Sequence, residues 1–541
     1  MAKNRKQIIP DETGNAELLR NSEIRNGEFV RYYGKQSEIV IPDTVTTITE
    51  GAFRDNHKIT HVAIGKNVSV IQPSAFFGCK NLRTVTFPSG LRIIGESAFR
   101  ECLSLSSVSL PRSVISVGAD AFRACTSLKK VVMADNVTNL GAFAFCDCHS
   151  LEEATLPDHL TAIHRGTFFN CSSLKALTVP QSVRTIGRYT FGHCSSLEEL
   201  ELPKELSYLG SGAFADCRSL KAIRIPSNVR FIGDYTFSRC ENLESIELPE
   251  KLSHIGVNAF CACRRLPHLA LPSMLTRIGA SAFLGCSSLE EAVIPATVCE
   301  LGRAAYAYCG ALRKVELHAA LTAIEDETFL CCFSLSRIKI PDSVTRIGEK
   351  AFARCLRLSS LRLPQSLDLI EESAFSECES LTALSLPSRL HRVESHVFAD
   401  CTALETVLLP EHRPIMEYGV FAGCDALKTL VVPNNLRLLR YRLDRWNVPT
   451  DTSVVFHEEL QLAALIDELS LPETTEERGE ELRAEIKRRM GRLKLQRLRG
   501  RGRQRLLSLQ EPTEDETPKE ELTTENAQDE SDVGHEEFTE N

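Results

Sequence analysis

The sequence has no apolar run near its start long enough to form the core of a signal peptide. Nowhere does an apolar stretch approach the ~18–20 residues of a membrane-spanning helix. The expectation from these absences is a soluble, cytoplasmic protein. The chain also lacks G-x-x-x-x-G-K-S/T, G-x-S-x-G and H-E-x-x-H, so the usual nucleotide, acyl-transfer and zinc-protease signatures are missing. Its 20 cysteines include no C-x-x-C pair. Cys146-x-Cys148, Cys261-x-Cys263 and Cys331-Cys332 come near, but no second pair sits at finger spacing. Leu471-Pro472-Glu473-Thr474-Thr475 resembles a cell-wall sorting signal but lacks its final glycine and apolar tail. His61, His149, His164, His193, His254 and His268 are scattered and read as surface residues. No catalytic residue, cofactor or metal is expected.

What the chain does have is a repeat. Pro42 opens a series that continues every 23 residues through Pro88, Pro111, Pro157 and Pro180 to Pro433. Gly65, Ala134 and His318 occupy the proline position without breaking the register. Eleven residues after each such position lies an aromatic residue, from Phe53 to Phe421, with Tyr306 standing in once. Aromatics are only 6% of the chain, and nearly half of them fall in this column. Three residues further on, Asn56 is followed by sixteen cysteines from Cys79 to Cys424. A leucine column from Leu82 to Leu427 follows, with Ile59 in the first turn. A fixed period of this length marks a solenoid, whose coils bury their apolar groups only by stacking.

Each column has a physical reading. Leu174-x-x-Leu177-x-Val179 alternates like a strand with one buried face. Pro180 ends it, having no N–H for a neighbouring strand. Val183 and Ile186 point inward again. The glycine column that includes Gly187 is expected to mark a tight turn or a left-handed residue. Thr190-Phe191-x-x-Cys194 is expected to form one helical or 3₁₀ turn, with Phe and Cys inward. The column cysteines are expected to be buried thiols, as suits a reducing compartment. The spacing of stacked coils also allows disulfides by distance alone.

The pattern L-x-x-V/L/I-x-L/I/V-P-x-x-V/L-x-x-I-G-x-x-A-F-x-x-C resembles the BspA-type leucine-rich repeat family, over roughly residues 38–435. The resemblance implies a leucine-rich-repeat superhelix with a parallel sheet on one face, binding macromolecules rather than catalysing reactions. It also implies a secreted or surface-exposed protein, at odds with the missing leader.

The expected organisation is a flexible N-terminus (1–26), a capping hairpin (27–41) and a solenoid of about seventeen repeats (42–440). A C-terminal cap with basic amphipathic helices (441–509) and a disordered acidic tail (510–541) complete it. The cap contains the single tryptophan, Trp446. Residues 511–541 carry thirteen Asp/Glu against one Lys, a composition that cannot bury a core.

Two candidate binding surfaces follow. Along the outward strand column, small uncharged residues give way to Glu201, Arg224 and Glu247, then to Glu316, Lys339 and Arg362. Such a row can be solubilising charge, or a groove for a protein partner. The alternative is a basic patch on the C-terminal helix: Arg483, Lys487, Arg488, Arg489, Arg492, Lys494, Arg497 and Arg499. That patch would bind nucleic acid or an anionic surface. The partner is otherwise unidentified, and a monomer is assumed.

Overall fold

The structure is a computed structural model. It describes residues 12–412, 414–434 and 439–457, together with 461, 465, 478, 480–482 and 484–489. Residues 1–457 and 458–541 form two separate compact units.

The first unit is a parallel β-solenoid of about 18 turns. Most 23-residue coils carry two short strands, which line up along the stack as two series of parallel rungs, a first and a second sheet, each broken into shorter segments. In the first sheet the rungs are two residues long, as in Thr185–Ile186 and Tyr208–Leu209, paired residue for residue 23 apart. In the second sheet they are three or four residues long, as in Ala222–Arg224 and Ser245–Glu247. Strands of one set pair only within that set. The sequence reading anticipated the second sheet alone. The pair Thr185–Ile186 is too short for its alternation to declare a strand, and only the coils above and below make it one. The second sheet is interrupted around Leu177–Val179, where a single bridge, Ala176 to Glu199, remains, and again at Leu266–Leu271, where no strand forms.

The Phe–Cys segment is not helical. It is a run of turns closed by bonds within the coil, such as Cys102 N–H to Phe99 C=O at 3.2 Å. Alternate amides point to the next coil, as from Phe99 N–H to Ala121 C=O at 2.7 Å. Two residues per coil are left-handed, for example Tyr189 (φ 52°) and His193 (φ 60°). Those conformations cost roughly 1 kcal/mol or more per non-glycine residue. The coil-to-coil bonds hold them in place.

The glycine column is a second correction. Gly187 and its equivalents are not left-handed. A Cβ on Gly187 would stand 2.5 Å from Arg165 N and 2.7 Å from His164 C of the preceding coil. The position is a close backbone approach. The left-handed sites come two and six residues later.

The core is a continuous column. Aromatic rings stack face to face from Phe29 to Phe421, with centroids 4.8 Å apart at the first step and 6.1 Å at the last. Beside it, each column thiol donates to the carbonyl of the column aromatic in the coil before, as Cys102 Sγ does to Phe76 O and Cys332 Sγ to Tyr306 O, both at 3.3 Å. Buried Thr190 and Thr236 donate to Gly187 O and Gly233 O at 2.8 Å, so burial leaves neither hydroxyl unpaired.

The ends are closed by their own elements. A helix, Glu12–Arg20, occupies part of the segment expected to be flexible. The N-terminal hairpin joins Ser22–Arg25 to Glu28–Tyr32, not the two halves of the expected segment 27–41. Its turn, Asn26-Gly27, has φ of 50° and 80°, as a two-residue hairpin loop requires. Phe29 then lies on Phe53 as the bottom ring of the column. At the other end the helix Leu439–Arg445 leads to Trp446, which is buried. Its indole donates to Met416 O at 3.3 Å, and its carbonyl accepts from Phe421 N–H at 2.9 Å. It replaces the coil that is not there. The last rung of the second sheet, Ser453–Phe456, follows it and so lies inside the expected cap.

Candidate binding faces

On the second sheet, side chains alternate between core and solvent. Ile223 is buried while Ala222 and Arg224 are exposed. Glu201, Arg224, Glu247, Lys339 and Arg362 are exposed, and Glu316 is half-buried. All six belong to the outward column, as the alternation predicts. Their electrostatics differ. Arg224 Nε lies 2.9 Å from Glu247 Oε2 on the next rung. Glu316 is held by Lys314 at 2.6 Å and His318 at 3.2 Å. The Lys314 ammonium, aided by His318, keeps its carboxyl below the usual carboxylate range. Glu201 sits in a coil whose outer segment forms no strand.

Lys339 and Arg362 are direct neighbours in register on adjacent rungs, and Arg337 precedes Lys339 on the same face. Among the described residues none of the three has an acidic partner. Like charges side by side on a sheet are destabilising. Elsewhere the chain pairs opposite charges one coil apart, as in Lys130–Glu153 at 2.5 Å and Lys221–Glu198 at 2.9 Å. The unpaired cations therefore stand out against the stabilising pattern around them.

The first sheet holds a surface the sequence reading missed. Tyr208, Phe231, His254 and Arg277 occupy the same outward position in four consecutive coils; the last three are paired in register, and Tyr208 ends the preceding sheet segment. All four are exposed. Tyr208 and Phe231 meet edge to face at 6.2 Å. They line an open groove of about 520 Å³ with Arg188, Ser211 and Asp234, over a floor that includes Gly233, Gly256 and Gly279. The signal lay in the residue just before each buried Ile or Leu. It was invisible because that position was not recognised as a strand.

In the C-terminal unit, Lys487, Arg488 and Arg489 of the alternative patch are described. Arg488 and Arg489 pair with Glu485 at 2.8 and 2.7 Å. Arg483, Arg492, Lys494, Arg497 and Arg499 lie outside the described residues, as does the acidic tail. Among the described residues no helix is long and apolar enough to cross a membrane. Nor do any three His, Cys, Asp or Glu there form a group that could hold a metal ion.

Stacked 23-residue coils with parallel rungs, a buried aromatic column and open sheet faces define a leucine-rich-repeat solenoid. The chain belongs to the BspA type leucine rich repeat family, whose model matches residues 22–152, 116–243, 208–332 and 322–443. That family consists in general of non-catalytic repeat scaffolds. Similar solved structures include a leucine-rich repeat protein from Bacteroides ovatus ATCC 8483. It is 26% identical, with 80% of this chain and 94% of that one covered and a TM-score of 0.42. A leucine rich cell surface protein from Faecalibacterium prausnitzii A2-165 is 24% identical, covering 71% and 91%, with a TM-score of 0.37. A leucine-rich repeat protein from Eubacterium ventriosum ATCC 27560 is 21% identical, covering 68% and 84%, with a TM-score of 0.35. No curated protein matches the chain.

Proposed function

We propose that the protein is a non-catalytic scaffold that binds a protein partner through the outward column of the second sheet, from Glu201 to Arg362. The observation that carries this reading is the unpaired cationic group Arg337, Lys339 and Arg362 on adjacent rungs. A partner with an acidic surface would relieve the repulsion that the fold leaves in place. Side chains one rung, ~4.8 Å, apart let many weak contacts add along the stack. Complementary charge then acts chiefly on the rate of encounter.

The test is charge reversal at Arg224, Lys339 and Arg362 together, in the full chain, after a partner has been captured with the wild type. These side chains are exposed, so the circular dichroism spectrum and melting should barely change. Affinity should fall by about tenfold or more, mainly through slower association at low salt. Reversal of Lys339 and Arg362 alone should account for most of the loss, because Arg224 is already paired with Glu247. Unchanged affinity in the triple variant would rule out this face as the site.

A further inference from the structure

We propose that the groove on the first sheet binds an oligosaccharide carrying sparse carboxylate groups. This site lies on a different sheet from the proposed protein-binding column. Four consecutive coils present planar side chains, Tyr208, Phe231, His254 and Arg277. No other four consecutive coils of that column do so: it reads Thr47, Val70, Ile93, Ser116, Asn139, Ala162 and Thr185 before Tyr208, and Glu300, Ala323, Arg346, Leu369, Arg392 and Ile415 after Arg277. Tyr208 is 38% and Phe231 42% exposed, and the two rings adjoin, so their open faces form one apolar surface. Beneath them lie glycines, and the amides of Gly256 and Gly279 are spent within the fold, on Ile232 C=O at 2.9 Å and Ile255 C=O at 2.8 Å. Recognition therefore falls chiefly to side chains.

Those side chains offer both signs of hydrogen bond. Arg188 and Arg277 donate, Asp234 accepts, and Ser211 and the Tyr208 hydroxyl do either. Asp234 Oδ1 already accepts from Val257 N–H at 2.8 Å, which fixes its carboxylate at the groove. A hydroxyl-rich ligand matches such a mixed set, with its C–H faces against the rings. The charge balance sets the rest. Arg188 has no acidic partner among the described residues, whereas Arg277 is neutralised by Glu300 at 2.9 Å. The groove thus favours an occasional anionic group. Asp234 opposes a phosphate on every unit, which disfavours a single-stranded nucleic acid.

The experiment titrates the full chain calorimetrically with a hexasaccharide bearing a uronate on alternate sugars. Its carboxyl-reduced form and a single-stranded oligonucleotide of equal length are titrated alongside. The hexasaccharide should bind, the reduced form at least several-fold more weakly, and the oligonucleotide more weakly than the hexasaccharide. Tyr208→Ala with Phe231→Ala should cost tenfold or more, and Arg188→Ala several-fold. Lys339→Glu with Arg362→Glu should leave binding unchanged. An equal loss in that control pair would show charge attraction to the other sheet and overturn the proposal. So would undiminished binding in the double alanine variant, tighter binding of the oligonucleotide, or no binding of the hexasaccharide.

Discussion

Buried thiols show how a single residue type serves this fold. Each column cysteine is small enough for the space beside the aromatic stack and gives its proton to a carbonyl one coil away. Burial pushes these thiols up, in Cys194, Cys309 and Cys378 to about 12. In the unfolded chain a thiol titrates near ~8.5. The folded value is the higher one, so this contribution to stability is complete below the unfolded value. It declines as the pH rises toward the folded value. Melting temperature should therefore be flat around neutrality and fall progressively above about pH 9, as differential scanning calorimetry can show. At pH 8, iodoacetamide should label exposed Cys299 readily and leave the column thiols unmodified until the chain unfolds. Peptide mapping by mass spectrometry separates the two classes, and labelling of Cys194 as fast as Cys299 would contradict the buried column. Glycine at the close approach is a second residue-scale constraint. In Gly256→Ala the new Cβ would meet Asp234 N at 2.6 Å and Gly233 C at 2.7 Å. Backbone atoms cannot swing away, so a loss of about 1–3 kcal/mol is expected in denaturant melts. His164 and Glu325 at equivalent positions show that the backbone can yield where the sequence has adjusted around it.

The element of this protein is the coil, and its rigidity comes from neighbours on both sides. Phe237 stacks on Phe214 and Phe260 at 5.4 and 5.5 Å, and its carbonyl accepts the Cys263 thiol at 3.2 Å. Phe237→Ala should remove about 3–5 kcal/mol, as truncation of a buried phenylalanine does. Hydrogen exchange should rise in the coils that hold Phe214, Phe237 and Phe260 and stay unchanged near Phe53 and Phe398. Uniform acceleration along the chain would mean that the stack unfolds as one unit. The turn segments argue the same point. A left-handed Tyr189 or His193 is unfavourable alone, and it persists because Tyr189 N–H reaches Ser211 C=O at 3.0 Å on the next coil.

At the scale of the whole stack, contacts run between neighbouring coils, so the ends decide where fraying begins. Phe29 closes the aromatic column at one end, and buried Trp446 covers the last coil at the other. Trp446→Ala should open the C-terminal coils first. The amides of Gly419 and Phe421, which bond Arg445 O and Trp446 O at 2.9 Å, should lose protection while those near Phe53 keep it. Exchange mass spectrometry reads this directly, and unchanged protection at Phe421 would remove Trp446 from the capping role. The two sheets also divide the surface into faces with different chemistry. The second carries paired and unpaired charge, and the first carries the planar ladder over glycine. Leucine-rich-repeat scaffolds gain such variety cheaply, because an outward side chain can change without disturbing the column beneath it.

The 23-residue period, the inward Phe, Cys and Leu columns and the outward position of Glu201 through Arg362 were legible in the sequence. Each depends on a repeat that must bury the same side chain at every step. Prolines such as Pro226 and Pro249 likewise marked where strands stop, because a missing N–H acts locally; before Pro180 the expected strand is reduced to a single bridge. The first sheet was not legible. Two residues such as Thr185–Ile186 carry no readable alternation, and their pairing is made wholly by adjacent coils. The glycine column misled for the same reason: its cause is a backbone in the preceding coil, not the local φ. Charge order along the outward column could be read, but not that Arg224 is paired while Lys339 and Arg362 are not. That depends on which side chains meet in space. Composition and period thus determined the solenoid and its family, whereas stacking alone decided the turn geometry, the first sheet and the groove upon it.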